Sequence, residues 1–220
     1  MTAFGYTMMC EQSRPDQLIR DIQQAEGAGF DFSVISDHYF PWLEEQGHAG
    51  YAWSILGAAA YATSRIPLMT YVTCPILRYH PAIIAQKAST VQILSGGRFR
   101  LGLGAGENLN EHVVGKGWPA VGTRHAMFTE AVDIWFGLGW KVNADLPGPS
   151  SFEAATQFVT PEQVAGQLAC GNDVDEFVER IKPYVQAGFT EIALVQIGAE
   201  QQAPFIQWAE KELLPKLRRL

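Results

Sequence analysis

The chain has 220 residues, 47% of them apolar, and sets 16 Lys and Arg against 23 Asp and Glu for a formal charge of -7. That suffices for one sizeable core, and without a basic cluster it presents no face for neutralising nucleic-acid phosphates. No uncharged apolar run is long enough to span a bilayer, Met1-Thr-Ala-Phe-Gly-Tyr lacks the basic flank of a leader, and Cys10, Cys74 and Cys170 never form a Cys-x-x-Cys pair. These features exclude a disulfide framework and a zinc site, and predict a cytoplasmic protein with reduced, buried thiols and neither nucleic acid nor membrane as partner.

Phe4 to Met9 reads as a strand, and Pro15 opens a helix in which Leu18, Ile19, Ile22 and Ala25 recur at helical spacing. Gly27 and Gly29 stop that helix before a second strand, Phe30 to Ser36, rich in aromatic and β-branched residues. Trp53 to Thr63 is helix-like, and Ile66 to Thr73 is a third strand with Pro67 near its start. Pro81 opens a helix with Ile84, Ala88, Val91 and Leu94 on one face, closed by Gly96-Gly97 ahead of the strand Phe99 to Ala105. A helix from about Thr123 to Trp135 completes four strand-helix steps, the pattern of a parallel sheet.

Phe136 to Ser151, FGLGWKVNADLPGPSS, breaks any long element and holds at most a short strand from Trp140 to Val142. Ser151 to Phe158 reads as a short helix and Thr160-Pro161-Glu162-Gln163 as the capping-box start of another. Asp173 to Ala187 is an amphipathic helix with Pro183 inside it, followed by a strand Glu191 to Ile197 and a helix from Pro204 to Leu217. The passage Ala187-Gly-Phe-Thr-Glu-Ile-Ala-Leu echoes Ala28-Gly-Phe-Asp-Phe-Ser-Val-Ile, each leading from a glycine helix stop into a strand.

Three stretches have the residue types of a site. Ile35 to Trp42, ISDHYFPW, puts Asp37, His38 and Trp42 at a strand's carboxyl end, where α/β proteins build their sites. The same residues also suit a helix N-cap with a packed histidine. Gly102-Leu-Gly-Ala-Gly-Glu-Asn-Leu-Asn-Glu-His112 has glycines at alternate positions, which either let a ligand approach the backbone or fit a crowded layer of the sheet. It is not a dinucleotide fingerprint, because no helix opens at its third glycine. A carboxylate directly after such a run, Glu107, has few structural jobs. Tyr71 to Pro81 leaves a strand and enters a helix; His80, before the proline, suits a cap and receives no catalytic role. The five histidines lack metal-ligand spacing, and no Gly-x-Ser-x-Gly elbow occurs.

At ISDHYFPW, TYVTCPILRYHPAIIAQ, GGRFRLGLGAGENLNEH, SFEAATQFVTPEQV and CGNDVDEFVERIKPYVQAGFTEIALVQIG the chain resembles the luciferase-like oxidoreductase superfamily, in particular its deazaflavin-dependent group similar to F420-dependent glucose-6-phosphate dehydrogenase. The resemblance implies a (β/α)8 TIM barrel holding coenzyme F420 at the carboxyl face of its strands. It makes Asp37 and His38 strand-end residues at the deazaflavin, His38 the candidate base for a substrate proton and Trp42 an aromatic wall over the reacting centre. Glu107 becomes the acid that protonates the reduced ring, Asn110 and Gly106 coenzyme contacts, and Tyr71-Val72 the bulge, often a cis peptide, behind the ring.

One departure stands out. Family members continue after the fourth helix with three further strands, on the order of a hundred residues, whereas here Ile134-Trp135 runs almost directly into NADLPGPSSFEAA. We therefore expect an α/β fold of incomplete (β/α)8 TIM-barrel type, matching strands 1 to 4 and 8 with 5 to 7 missing. It would form a single domain over 1-220 with its junction near 135-150. The lost part carries, in the family, cationic residues for a phosphorylated substrate, so sugar-phosphate specificity does not carry over. Five parallel strands cannot close an eight-stranded barrel, which leaves a half-open sheet, a homodimer pairing the open edges, or a poorly folded remnant. The function implied is hydride transfer between a small organic substrate and F420. The alternatives are an FMN-dependent luciferase-like monooxygenase and a non-catalytic shortened paralogue that binds flavin weakly or serves as a subunit.

Overall fold

A computed structural model describes residues 2–133, 159–160, 162–164 and 168–220. In chain order these form β1 (Ala3–Met8), α1 (Pro15–Ala28), β2 (Phe32–Ile35), α2 (Ala52–Ala62), β3 (Leu68–Thr70), α3 (Pro81–Leu94), β4 (Phe99–Arg100), the one-turn α4 (Asn108–Glu111), α5 (Val121–Asp133), α6 (Val174–Gln186), β5 (Glu191–Leu194) and α7 (Gln202–Trp208). A π-helical turn, Ala209–Leu213, carries α7 into a final turn, α8 (Leu214–Leu217).

The strands form one parallel sheet in the order β4-β3-β2-β1-β5. The last strand thus lies beside the first, Ala3 opposite Glu191 and Tyr6 opposite Leu194, as the eighth strand does in a closed barrel. This is the incomplete barrel expected from the sequence. The two ends of the strand order are joined by an ion pair between Arg100 on β4 and Glu191 on β5, so the sheet is curled far enough for its edge strands to reach each other.

Both faces of β1 are buried, as parallel sheets require. Phe4, Tyr6 and Met8 alternate on one face and pack with Leu18, Ile22 and Ala25 of α1 and with Phe205, Ile206 and Leu213 near the carboxyl terminus. On the other face Gly5 makes room for Phe32, whose ring would lie 2.4 Å from a Cβ added there. Helix starts follow the sequence signals. His80 Nδ1 accepts from the Ala82 N–H at 3.2 Å at the start of α3, and Asp173 Oδ1 accepts from Asp175 and Glu176 at α6. Thr160 and Gln163 form the reciprocal capping box at 2.9 and 3.3 Å.

Three expectations change. Strands β3 and β4 have three and two residues where Ile66 to Thr73 and Phe99 to Ala105 were expected. The Tyr71–Val72 peptide is cis, and pairing resumes only as a bridge between Thr73 and Leu103. Between these points the Thr70 hydroxyl substitutes for ladder bonds, donating to the Gly102 carbonyl at 2.8 Å and accepting from the Gly102 N–H at 2.9 Å. Strand β5 stops at Leu194, has a strand partner on one side only among the described residues, and leaves Val195 and Ile197 exposed. Cys170 is exposed, unlike the buried Cys10 and Cys74, because it lies in the irregular segment before α6. The short strand Trp140 to Val142, the helix Ser151 to Phe158 and the junction near 135-150 lie outside the described residues.

The alternate glycines are spacers between neighbouring segments. A Cβ on Gly102 would sit 2.0 Å from the Thr70 carbonyl oxygen, one on Gly104 2.4 Å from Val72, and one on Gly106, whose φ is 74°, 2.4 Å from Cys74 Sγ. The crowded-layer reading accounts for these contacts, since each glycine lets residues 102 to 106 lie against residues 70 to 74. Gly102→Ala meets a backbone atom that cannot swing away. We expect it to cost about 3 kcal/mol, read as a lower urea midpoint at unchanged slope; a midpoint equal to wild type would contradict this packing.

Candidate active site

The strands' carboxyl ends open into a cavity of about 390 Å³. It is walled by the loop after β1 (Met9, Glu11), the loop after β2 (Ser36, Asp37, His38, Trp42), the segment after β3 (Tyr71, Val72, Cys74, Arg78), the glycine run with Glu107, Asn110 and Glu111, and Val195 after β5. All eight residues singled out in the sequence, Asp37, His38, Trp42, Tyr71, Val72, Gly106, Glu107 and Asn110, line it.

His38 is the centre. Its Nδ1 lies 2.6 Å from Glu11 Oε1 and its Nε2 3.0 Å from Glu107 Oε1, and its ring meets Trp42 edge-on at 4.8 Å between centroids. Burial pushes the imidazole pKa down, but the Glu107 and Glu11 carboxylates outweigh it and raise the value to about 9. The ring is thus an imidazolium at neutral pH. Burial would raise the Glu11 pKa, yet contact with His38 and Ser36 holds it below the usual carboxylate range. Beside them the Cys10 thiol, which donates to the Ser36 carbonyl, is pushed up to about 12 by burial and is inert as a nucleophile.

Glu107 is set by Asn110, one turn along the chain. The Asn110 amide donates to Glu107 Oε1 at 2.7 Å while its Oδ1 accepts from the Tyr39 and Phe40 N–H groups at 2.7 and 3.0 Å. One buried side chain therefore clamps the His38 loop to the Glu107 helix.

Behind this front lies a second set of charges. Asp37 Oδ2 accepts from Trp53 Nε1 at 2.9 Å and Thr73 Oγ1 at 2.8 Å, and Oδ1 from the Tyr79 hydroxyl at 3.0 Å, with Arg78 Nη2 at 3.3 Å. These donors take up the acceptor positions of the carboxylate. Arg78 also donates to the Asp37 carbonyl and, through its backbone N–H and Nε, to Glu111 at 2.9 and 3.2 Å. Burial raises the Glu111 pKa despite Arg78.

Glu11, Arg78 and Glu111 escaped the sequence reading. Glu11 carried the signal that flagged Glu107, a carboxylate just past a buried strand, whereas nothing in spacing marked Arg78 or Glu111. Trp53, Thr73 and Tyr79 likewise join Asp37 only through the fold.

A parallel, barrel-type α/β sheet with an imidazole between two carboxylates at the strands' carboxyl ends makes a candidate active site where TIM barrels build theirs. The family model described as luciferase-like monooxygenase matches residues 2–145, and the chain belongs to that luciferase-like family. It is 45% identical over 134 residues to an F420-dependent glucose-6-phosphate dehydrogenase of Beutenbergia cavernae, spanning 61% of this chain and 40% of that one. It is 33% identical over 210 residues to one of Microbacterium testaceum, spanning 86% and 62%. In three dimensions it resembles an F420-dependent secondary alcohol dehydrogenase in complex with an F420-acetone adduct. There the TM-score is 0.85 at 20% identity, over 99% of each chain, a likeness of fold. The chain spans about two to three fifths of the length of these curated relatives.

Proposed function

We propose that the chain binds the deazaflavin ring of coenzyme F420 in this cavity and moves a hydride between it and a small organic substrate. The observation that supports it most is the row Glu11–His38–Glu107 with Trp42 along one wall. A planar, heteroatom-edged ring suits the cavity. Its volume falls in the range of small-molecule sites, Met9, Val72, Trp42 and Val195 give apolar surface, and Thr7 Oγ1 and Glu11 Oε2 are buried polar atoms still lacking a partner.

Bound there, the deazaflavin supplies the carbon that accepts or donates hydride. The protein holds and moves the proton. Val72 and Gly104 back the ring site, Trp42 covers it, and Asn110 aims Glu107. His38 Nε2 shares its proton with Glu107 Oε1, and Glu11 keeps the imidazole charged, so His38 is the acid of the pair and Glu107 the group that takes a proton. Base action by His38 requires that its proton first pass to Glu107. Asp37 serves this row from behind, holding the strand end on which His38 sits. The reading includes a cytoplasmic homodimer of single-domain subunits, which size-exclusion chromatography tests.

F420 fluorescence should be quenched on titration with the protein, and Trp42→Ala should weaken binding about tenfold, the worth of one aromatic contact. No quenching at tens of micromolar protein removes this reading. Purification with bound FMN would replace it by a monooxygenase.

A further inference from the structure

Resting on that coenzyme reading, we infer that the substrate of this cavity is an uncharged alcohol or carbonyl compound and not a phosphorylated one. The warrant is charge. Among the described residues that line the cavity, the cations are Arg78 and the His38 ring, and each already faces two carboxylates. Arg78 lies 3.3 Å from Asp37 Oδ1 and 3.2 Å from Glu111 Oε1, and His38 lies 2.6 Å from Glu11 and 3.0 Å from Glu107. Among these described residues a phosphate would find no donor cation without breaking one of those pairs, and would approach four acidic side chains. Burying a charge without a partner is among the costliest events in recognition.

Arg14 and Arg20 line a separate hollow and both hold the Asp16 carboxylate, at 3.0 and 2.9 Å. What the cavity offers instead suits a neutral molecule with one polar end. Met9, Trp42, Val72 and Val195 give apolar wall, and the polar atoms there that still lack a partner, Thr7 Oγ1 and Glu11 Oε2, can accept from an alcohol O–H. The retained residues thus select against anions without any contribution from strands 5 to 7.

The experiment has three arms. F420 is titrated first by fluorescence quenching; absence of binding overturns the coenzyme reading and this inference with it. With F420 bound, kcat/KM is compared for 2-propanol and glucose 6-phosphate, expected to favour the alcohol by on the order of 100-fold. Separately, the unfolding midpoint of the coenzyme-free protein is followed in millimolar inorganic phosphate, expected to stay unchanged. Preference for glucose 6-phosphate, or a saturable phosphate-induced rise, overturns the inference and leaves the coenzyme reading standing. Val195→Lys then places an ammonium at the rim, on an exposed position outside the proton-handling row. It should create a phosphate-dependent rise in midpoint and narrow the preference by about tenfold. No change in either would show that charge balance is not what selects the substrate.

Discussion

Arg78→Met lowers stability by about 3–5 kcal/mol, a fall in Tm on the order of 10 °C for a chain of this size. The Arg78 side chain, 8% exposed, lies between two carboxylates that are themselves about 1% exposed, and it ties the loop after β2 to the one-turn helix after the glycine run. Methionine fills much of the same volume, so the loss comes from the charges left behind. The Trp53, Thr73 and Tyr79 donors still hold Asp37, but Glu111 keeps only the backbone N–H of residue 78 among these bonds.

The pH dependence identifies this cause. Burial already raises the Glu111 pKa with Arg78 present, and removing the guanidinium raises it further. A carboxylate with a raised folded pKa favours the folded state while protonated, and that contribution is lost as pH rises through the folded value. The cost of Arg78→Met should therefore be smaller at pH 5 than at pH 8 in urea titrations. Arg78→Lys should recover only part of the loss, because an ammonium cannot reproduce the planar fork that reaches Asp37 and Glu111 together. A variant equally destabilised at both pH values would mean that packing, not charge, is what Arg78 supplies.

The second large effect concerns His38. Its folded pKa of about 9 lies above the ordinary imidazole value of 6.5, so the folded state binds its proton more tightly than the unfolded chain. That contribution is fully present below about pH 6.5 and is lost as pH rises through about 9, on the order of 3 kcal/mol in all. Wild-type stability should decline across that window, while His38→Gln should be flat there and less stable below it. Histidine NMR resolves the same point directly. A His38 midpoint near 6.5 would show that Glu11 and Glu107 do not hold the ring charged, and would return the ring to the role of base.

Much of the site could be read from local pattern. ISDHYFPW placed His38 and Trp42 at a strand end, and the glycine run placed Glu107 at another. Strand ends of a parallel sheet necessarily share a face, so these residues meet whenever the strands pair in order. Glu11 obeys the same rule, but Met9-Cys10 obscures the end of β1 in the sequence. The glycines illustrate the limit of such reading. Alternation of small residues is the same whether a ligand or a neighbouring strand requires the space, and the contacts with Thr70, Val72 and Cys74 show that the neighbouring segment does.

The sequence by itself determined the βα alternation, the capping-box start at Thr160, the family resemblance and eight of the residues that converge on the cavity. All of these are encoded within short windows by periodicity, capping chemistry and motif. Only the tertiary structure decided that β5 lies against β1 and that Arg100 meets Glu191 across the curled sheet. It alone set His38 between two carboxylates and gave both Asp37 and Glu111 to Arg78. Each of those depends on residues far apart in the chain, from 27 positions between Glu11 and His38 to 188 between Ala3 and Glu191. Burial and through-space charge, which set protonation in the cavity, do not exist until the chain has folded.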